Sequence, residues 1–131
     1  MIFVDSNVPM YLIGAEHPLK VAARRAVEDA LVAGEVLCSD AEVFQEILHR
    51  YRAVGQRADI DAAFAALHGF IDVTYPIALA DVERARRLLA TTPRLSARDA
   101  LHLAVMQAHD VGRIMSFDRA FDGIPGIERV A

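Results

Sequence analysis

Apolar residues run without interruption from Met1 to Val4 and stop at a carboxylate, Asp5. A short continuous run of this kind, rich in β-branched and aromatic side chains, reads as a strand buried on both faces, because a helix or a one-sided sheet would space its apolar positions. The next stretch, "NVPMYLIG", predicts a helical turn that tolerates Pro9 at its start. After a break at "EHPLK", the spacing in "VAARRAVEDALVAG" is helical and ends at Gly34. "EVLCS" predicts a second strand, "DAEVFQEILHRYRAVG" an amphipathic helix ending at Gly55, "DIDAAFAALHGFI" a further helix and "DVTYPI" a strand closed by Pro76. The alternation then repeats: "ALADVERARRLLATT" is helical, "PRLS" a loop, "ARDALHLAVMQAHD" a nearly all-apolar helix and "RIMSF" a strand. "DRAFDGIPGIERVA" holds a short helical turn, a Gly/Pro turn and a candidate last strand.

Strands separated by helices predict an α/β fold: a short, mainly parallel central sheet between helical layers, a three-layer α/β/α sandwich. The 131 residues, 54% of them apolar, suffice for one core and show no linker or repeat, so a single domain over residues 1–131 is expected. In such sheets, sites form beyond the carboxyl ends of the strands. Asp5, Ser39 with Asp40, and Asp118 all follow predicted strands, so polar residues converge on one edge.

Composition narrows the function classes. Cys38 is the only cysteine, which excludes an internal disulfide and allows a reducing compartment. The start of the chain lacks the basic and apolar regions of a secretory leader, and no run approaches the 18 or so apolar residues of a membrane span; a soluble, cytoplasmic protein is expected. A net charge of −4 points away from a protein that coats nucleic acid electrostatically. Of the 14 basic residues, however, 13 are arginine, whose planar fork grips phosphate and carboxylate. High genomic G+C would yield the same bias, so arginine content alone decides nothing.

The chemistry lies in the acids. Asp5 and Asp118 sit at strand-to-helix joints where an N-cap is expected, and Asp99 lies three residues after Ser96, the S-x-x-D spacing of a capped helix. Each taken alone reads more readily as a cap than as a ligand. Together they read differently, because Asp99 opens a helix with almost no polar face and is therefore partly enclosed. Enclosed like charges are costly unless a proton or a cation relieves them. Oxygen donors select a hard cation, Mg²⁺ or Mn²⁺, and the five histidines are scattered with no zinc-binding spacing.

A fourth acid comes from "SDAEVFQEILHRY". Ser39 and Glu42 have the spacing of a capping box, which gives Glu42 a structural role. At about 100° per residue, the apolar stripe of Val43, Phe44, Ile47, Leu48 and Tyr51 centres roughly 125° from Glu46 and about 165° from Glu42. Glu46 is thus the favoured site acid.

"MIFVDSNV", "VFQEIL", "ARDALHLA" and "SFDRAFD", in this order over about 120 residues, resemble the acidic motifs of PIN-domain ribonucleases, specifically VapC-type toxins of bacterial toxin-antitoxin systems. The resemblance implies that Asp5, Glu46, Asp99 and Asp118 are catalytic, binding one or two Mg²⁺ or Mn²⁺ ions. It makes Asn7 and Ser116 supporting hydrogen-bonding residues, and Asp122, four residues beyond Asp118 on the same helical face, an additional acid near the site. It further implies endonucleolytic cleavage of RNA, a homodimer and inhibition by a cognate VapB-type antitoxin. Arg98, beside Asp99, is a candidate RNA contact, and Arg50, Arg52 and Arg57 are weaker ones.

Other readings fit less well. A haloacid-dehalogenase-type phosphatase needs an acid where Asn7 stands and a later lysine, and Lys20 is the only lysine. A receiver domain lacks the same lysine, and no glycine-rich phosphate loop follows the first strand. Two alternatives stay open within the resemblance: a PIN-family nuclease of RNA processing that is not a toxin, and a catalytically silent module that binds RNA or a protein partner.

Overall fold

The computed structural model describes all 131 residues. Five strands form one sheet: β1 (Ile2–Val4), β2 (Leu37–Asp40), β3 (Val73–Tyr75), β4 (Arg113–Met115) and β5 (Glu128–Val130). Every neighbouring pair is parallel and the order is β3-β2-β1-β4-β5. Six helices cover the sheet in the expected α/β/α arrangement: α1 (Asn7–Ile13), α2 (Pro18–Val32), α3 (Ala41–Ala53), α4 (Ala58–Phe70), α5 (Leu79–Thr91) and α6 (Ala97–Ala108). The candidate last strand is real and extends the sheet beyond β4.

The strand order reverses at β1. The chain leaves β1 toward β2 and β3 on one side, then returns to place β4 and β5 on the other, which opens a crevice between β1 and β4 at their carboxyl ends. The main-chain amide of Asp5 continues the β1–β4 ladder by donating to the Met115 carbonyl over 3.0 Å. Residues at the two strand exits are thereby locked in register.

Burial follows the apolar pattern. Phe3, Val4, Leu37, Ile114 and Met115 from the sheet pack with Ile47, Leu67, Leu103, Met106 and Phe121 in one core. Cys38 lies inside it, and burial pushes its thiol up to about 12. In α6 every residue from His102 to Met106 is buried, as its nearly all-apolar face predicts.

Three local expectations are corrected. The break at "EHPLK" is a helix start: Pro18 occupies the first position of α2, and the His17 ring caps it by accepting from the Leu19 amide at 3.0 Å. The cap of α3 is Asp40, whose Oδ1 accepts from the Val43 amide at 2.9 Å. Ser39 instead donates to the Val4 carbonyl from within β2, so the Ser39–Glu42 capping box does not form. An aspartate one residue nearer the helix competes better for the same amides. Finally, Leu48 is exposed, and the buried face of α3 is Val43, Glu46, Ile47 and Tyr51.

Candidate active site

Asp5 leaves β1 into the crevice and is only 4% exposed. Its carboxylate is held from several sides: Oδ1 accepts from the Ser6 amide at 2.7 Å, and Oδ2 accepts from the Ser116 hydroxyl at 2.6 Å and the Asn7 side-chain amide at 3.3 Å. Asn7 also donates to Ser116 Oγ at 3.1 Å and accepts from the Phe117 amide at 3.3 Å. The Asp118 amide donates to Ser116 Oγ at 3.0 Å. Asn7 and Ser116 thus tie the exit of β1 to the exit of β4.

Glu46 faces the same space from α3 and is 8% exposed. Its Oε2 accepts from the Ser6 hydroxyl at 3.2 Å. Asp99 enters from the first turn of α6, its amide donating to Ser96 Oγ at 3.1 Å. Asp118 caps the short 3₁₀ turn Arg119–Phe121 through the Ala120 amide at 2.9 Å. The capping geometries expected for Asp99 and Asp118 are therefore present, and they leave both carboxylates on the wall of one cavity. That cavity, about 620 Å³, is lined by Asp5, Glu46, Asp99 and Asp118 together with Ser6, Asn7, Tyr11, Phe117, Arg50 and Arg98.

Asp122 lies elsewhere. The segment after Asp118 is a single 3₁₀ turn that stops at Phe121, so no helical face carries a residue four positions on toward the site. Asp122 pairs instead with Arg129 of β5, Oδ1 to Nε at 2.7 Å, and Arg129 also donates to the Ser116 carbonyl at 3.1 Å. This pair steadies the β4 exit from behind. Glu42 likewise stays out of the cavity, with Oε1 3.7 Å from Arg98 Nε.

His102 is the residue that pattern reading missed. It is fully buried, its Nδ1 lies 2.8 Å from Asp40 Oδ2, and its Nε2 lies 2.6 Å from Glu46 Oε1 and 3.9 Å from Asp5 Oδ1. Both near neighbours are carboxylate oxygens, so the ring donates from both nitrogens. Burial alone would lower its pKa, but the bonds and charges of Asp40 and Glu46, with the charge of Asp5, raise it well above 6.5. Burial works to raise Glu46, yet the His102 contact outweighs it and holds the carboxyl below its ordinary range. Within "DALHLAV" a histidine at this spacing is indistinguishable from one more buried position; its partners are 62 and 56 residues away.

The site's charge is not balanced from within. Burial is the main cause that raises the pKa of Asp5, and burial again, helped by the charge of Asp118, raises that of Asp99. Asp99 and Asp118 have no cationic side chain within salt-bridge distance. Four carboxylates from β1, α3, α6 and the β4 exit, two of them without a cation, make an all-oxygen donor set suited to Mg²⁺ or Mn²⁺. The ring nitrogens of His102 are engaged already, so oxygen remains the donor chemistry of the wall.

The two glutamates give a direct comparison. Glu46→Gln should cost more than about tenfold in cleavage, since the cavity wall loses one of its four charges. Glu42→Gln should leave cleavage within a few-fold, since this half-buried carboxylate faces Arg98 and not the cavity, and should shift stability by no more than about 1 kcal/mol. Rates and thermal melts of the two variants side by side decide the matter, and equal losses of activity would reject Glu46 as the special one.

The model of the PIN domain family matches residues 2–127. Ribonuclease VapC13 of Mycobacterium tuberculosis is 57% identical over 131 residues, covering both chains completely. Ribonuclease VapC23 of the same species is 42% identical over 118 residues, 90% of this chain and 93% of that protein. Among solved structures, VapC20 of Mycobacterium tuberculosis, described as a sarcin-ricin loop cleaving toxin, superposes with a TM-score of 0.70 at 25% identity over 91% of each chain. VapBC2 from Rickettsia felis, solved with a promoter DNA fragment, gives a TM-score of 0.74 at 12% identity over the full length of both, a likeness of fold. With one family model spanning nearly the whole length and ribonuclease relatives aligned end to end, this chain belongs to the PIN-domain family and, within it, to the VapC ribonucleases.

Proposed function

We propose that this protein is a Mg²⁺- or Mn²⁺-dependent endoribonuclease, the toxin of a toxin-antitoxin pair. The observation that carries the reading is the convergence of Asp5, Glu46, Asp99 and Asp118 on one cavity wall, with burial opposing the charge of two of them and no cationic side chain within salt-bridge distance of Asp99 or Asp118. The names of the VapC relatives, ribonucleases matched over the whole chain, support the reaction class.

A bound divalent ion would supply Lewis acidity at the scissile phosphate and a more acidic water. The chain supplies the rest. Asp5 is fixed by Ser6, Asn7 and Ser116, and Glu46 by Ser6 and His102, so these two acids are held before any substrate arrives. Such preorganisation avoids reordering at the moment of reaction. Arg50 and Arg98 flank the acids and offer guanidinium groups to phosphates on either side of the cut. Tyr11 and Phe117, edge to face with ring centroids 5.6 Å apart, add an aromatic wall of the kind on which single-stranded RNA stacks its bases. A protein of net charge −4 can hold a polyanion in this way because the ion and the arginines reverse the local sign.

The toxin assignment brings an antitoxin of the VapB type, a homodimeric state and a cytoplasmic location into the proposal. The solved relatives include toxin-antitoxin complexes, which supports the partner. No helix is long and apolar enough to cross a membrane.

The decisive experiment incubates the purified protein with a structured RNA in Mg²⁺, in Mn²⁺ and in EDTA, and maps the cut ends. Cleavage in either ion that leaves 5′-phosphates, and its loss in EDTA, is the expected result. Undiminished cleavage in EDTA would overturn the metal-dependent reading.

A further inference from the structure

Two buried residues next to the acidic wall are not among its four acids, Asp40 and His102. His102 is one helical turn beyond Asp99 on α6, so a single helix face presents the aspartate to the cavity and the imidazole to the floor beneath it. Asp40 ends β2 and caps α3, the helix that carries Glu46. The ring therefore bridges the start of α3 and the acid on its second turn, 2.8 Å from Asp40 Oδ2 and 2.6 Å from Glu46 Oε1. On its flank it packs against Phe3 of β1, ring centroids 5.3 Å apart. Asp5 Oδ1 lies 3.9 Å from its Nε2, and the ring has no solvent contact.

A fully buried polar ring in an apolar helix face is costly unless both nitrogens are satisfied, and a leucine or methionine would fill the volume without that cost. What the histidine adds is a fixed direction for Glu46. Oε1 is pinned by Nε2, Oε2 by the Ser6 hydroxyl at 3.2 Å, and Ser6 adjoins Asp5, whose Oδ1 it also bonds through its amide. The orientations of the two most buried site acids are thus coupled through a chain that begins at Asp40.

We infer that His102, held by Asp40, is a positioning residue that aims Glu46 at the divalent ion without ligating the ion itself. The inference rests on the metal-dependent nuclease reading of the site. A hydrogen bond of this kind, made to a metal-binding side chain from behind, is worth about 10- to 100-fold in metal affinity. Glutamine and asparagine separate the two ends of the ring, because the amide of glutamine reaches about where Nε2 lies and that of asparagine about where Nδ1 lies. His102→Gln keeps a donor for Glu46; His102→Asn keeps one only for Asp40.

The test titrates the full-length wild type and both variants with Mn²⁺, reading the free aqueous ion by electron paramagnetic resonance, with circular dichroism to verify the fold. Wild type and His102→Gln should bind within a few-fold of each other, and His102→Asn about 10- to 100-fold more weakly. Equal Mn²⁺ affinity in all three would reduce His102 to a core residue and overturn the inference while leaving the site reading intact. No Mn²⁺ binding by wild type would instead sink the site reading. Should neither variant fold, histidine ¹⁵N spectra of the unaltered protein decide: on saturation with Mg²⁺ the Nε2–H signal of His102 should persist and move. Its disappearance would make His102 a ligand, and an unmoved signal would uncouple it from the ion; either result overturns the proposal.

Discussion

Asp5→Asn should abolish RNA cleavage, by at least about a hundredfold, since removing a proposed ligand should exceed the 10- to 100-fold cost of disturbing its supports. The fold should survive. Burial raises the pKa of this carboxyl, so a neutral amide of the same shape is relieved of a desolvation cost, while the bond from the Ser6 amide can be kept. The facing donors Ser116 and Asn7 must reorganise, so the net change in stability should stay within about 1 kcal/mol. Asp99→Asn should behave alike, as its pKa is also raised by burial. The measurement is single-turnover cleavage set beside a thermal melt. Retained activity in the double variant would remove both residues from the site.

The second large effect is thermal. At a divalent-ion concentration one hundred times the dissociation constant, binding should stabilise the protein by about 2.7 kcal/mol. For a domain of 131 residues that corresponds to roughly 10 °C in melting temperature. The effect should grow with pH. Asp5 and Asp99 have folded pKa values above their unfolded ones, so in the metal-free protein their ionisation opposes folding, and stability returns as pH falls through those raised values. His102 has the same consequence by the opposite charge: its stabilisation is complete below its ordinary value of 6.5 and is lost as pH rises through its raised folded value. Glu46, held low, loses its contribution only in acid, as pH falls through its folded value. From about pH 6.5 upward the protein in EDTA should therefore melt at lower temperature as pH rises, and added Mg²⁺ should restore most at the alkaline end. Melting curves in EDTA that climb over this range would contradict the account of the buried acids.

The parts of this molecule that could be read from sequence are those written in local pattern. The apolar run ending at Asp5 announces both the strand and the acid at its exit, and the near absence of polar positions in α6 announces that Asp99 opens a buried helix. Glu46 and not Glu42 lines the cavity, although the Ser39–Glu42 capping box expected from the spacing is absent. Asp40, not Ser39, caps α3, and Glu46 is singled out because it belongs to the buried face that Leu48 leaves. Asp122 misleads for a related reason, since a four-residue spacing carries a residue to the same face only within an α-helix, and a 3₁₀ turn of three residues ends first. His102 was illegible because its meaning lies in Asp40 and Glu46, brought to it by the packing of α3 against α6.

The hydrogen bond from Ser116 to Asp5 joins positions 111 apart in the chain, and the strand beyond it, β5, carries the arginine that braces this joint. A chain shortened before β4 therefore has β1 without its neighbour, so Asp5 loses the hydroxyl that anchors it and the cavity loses the wall that carries Asp118.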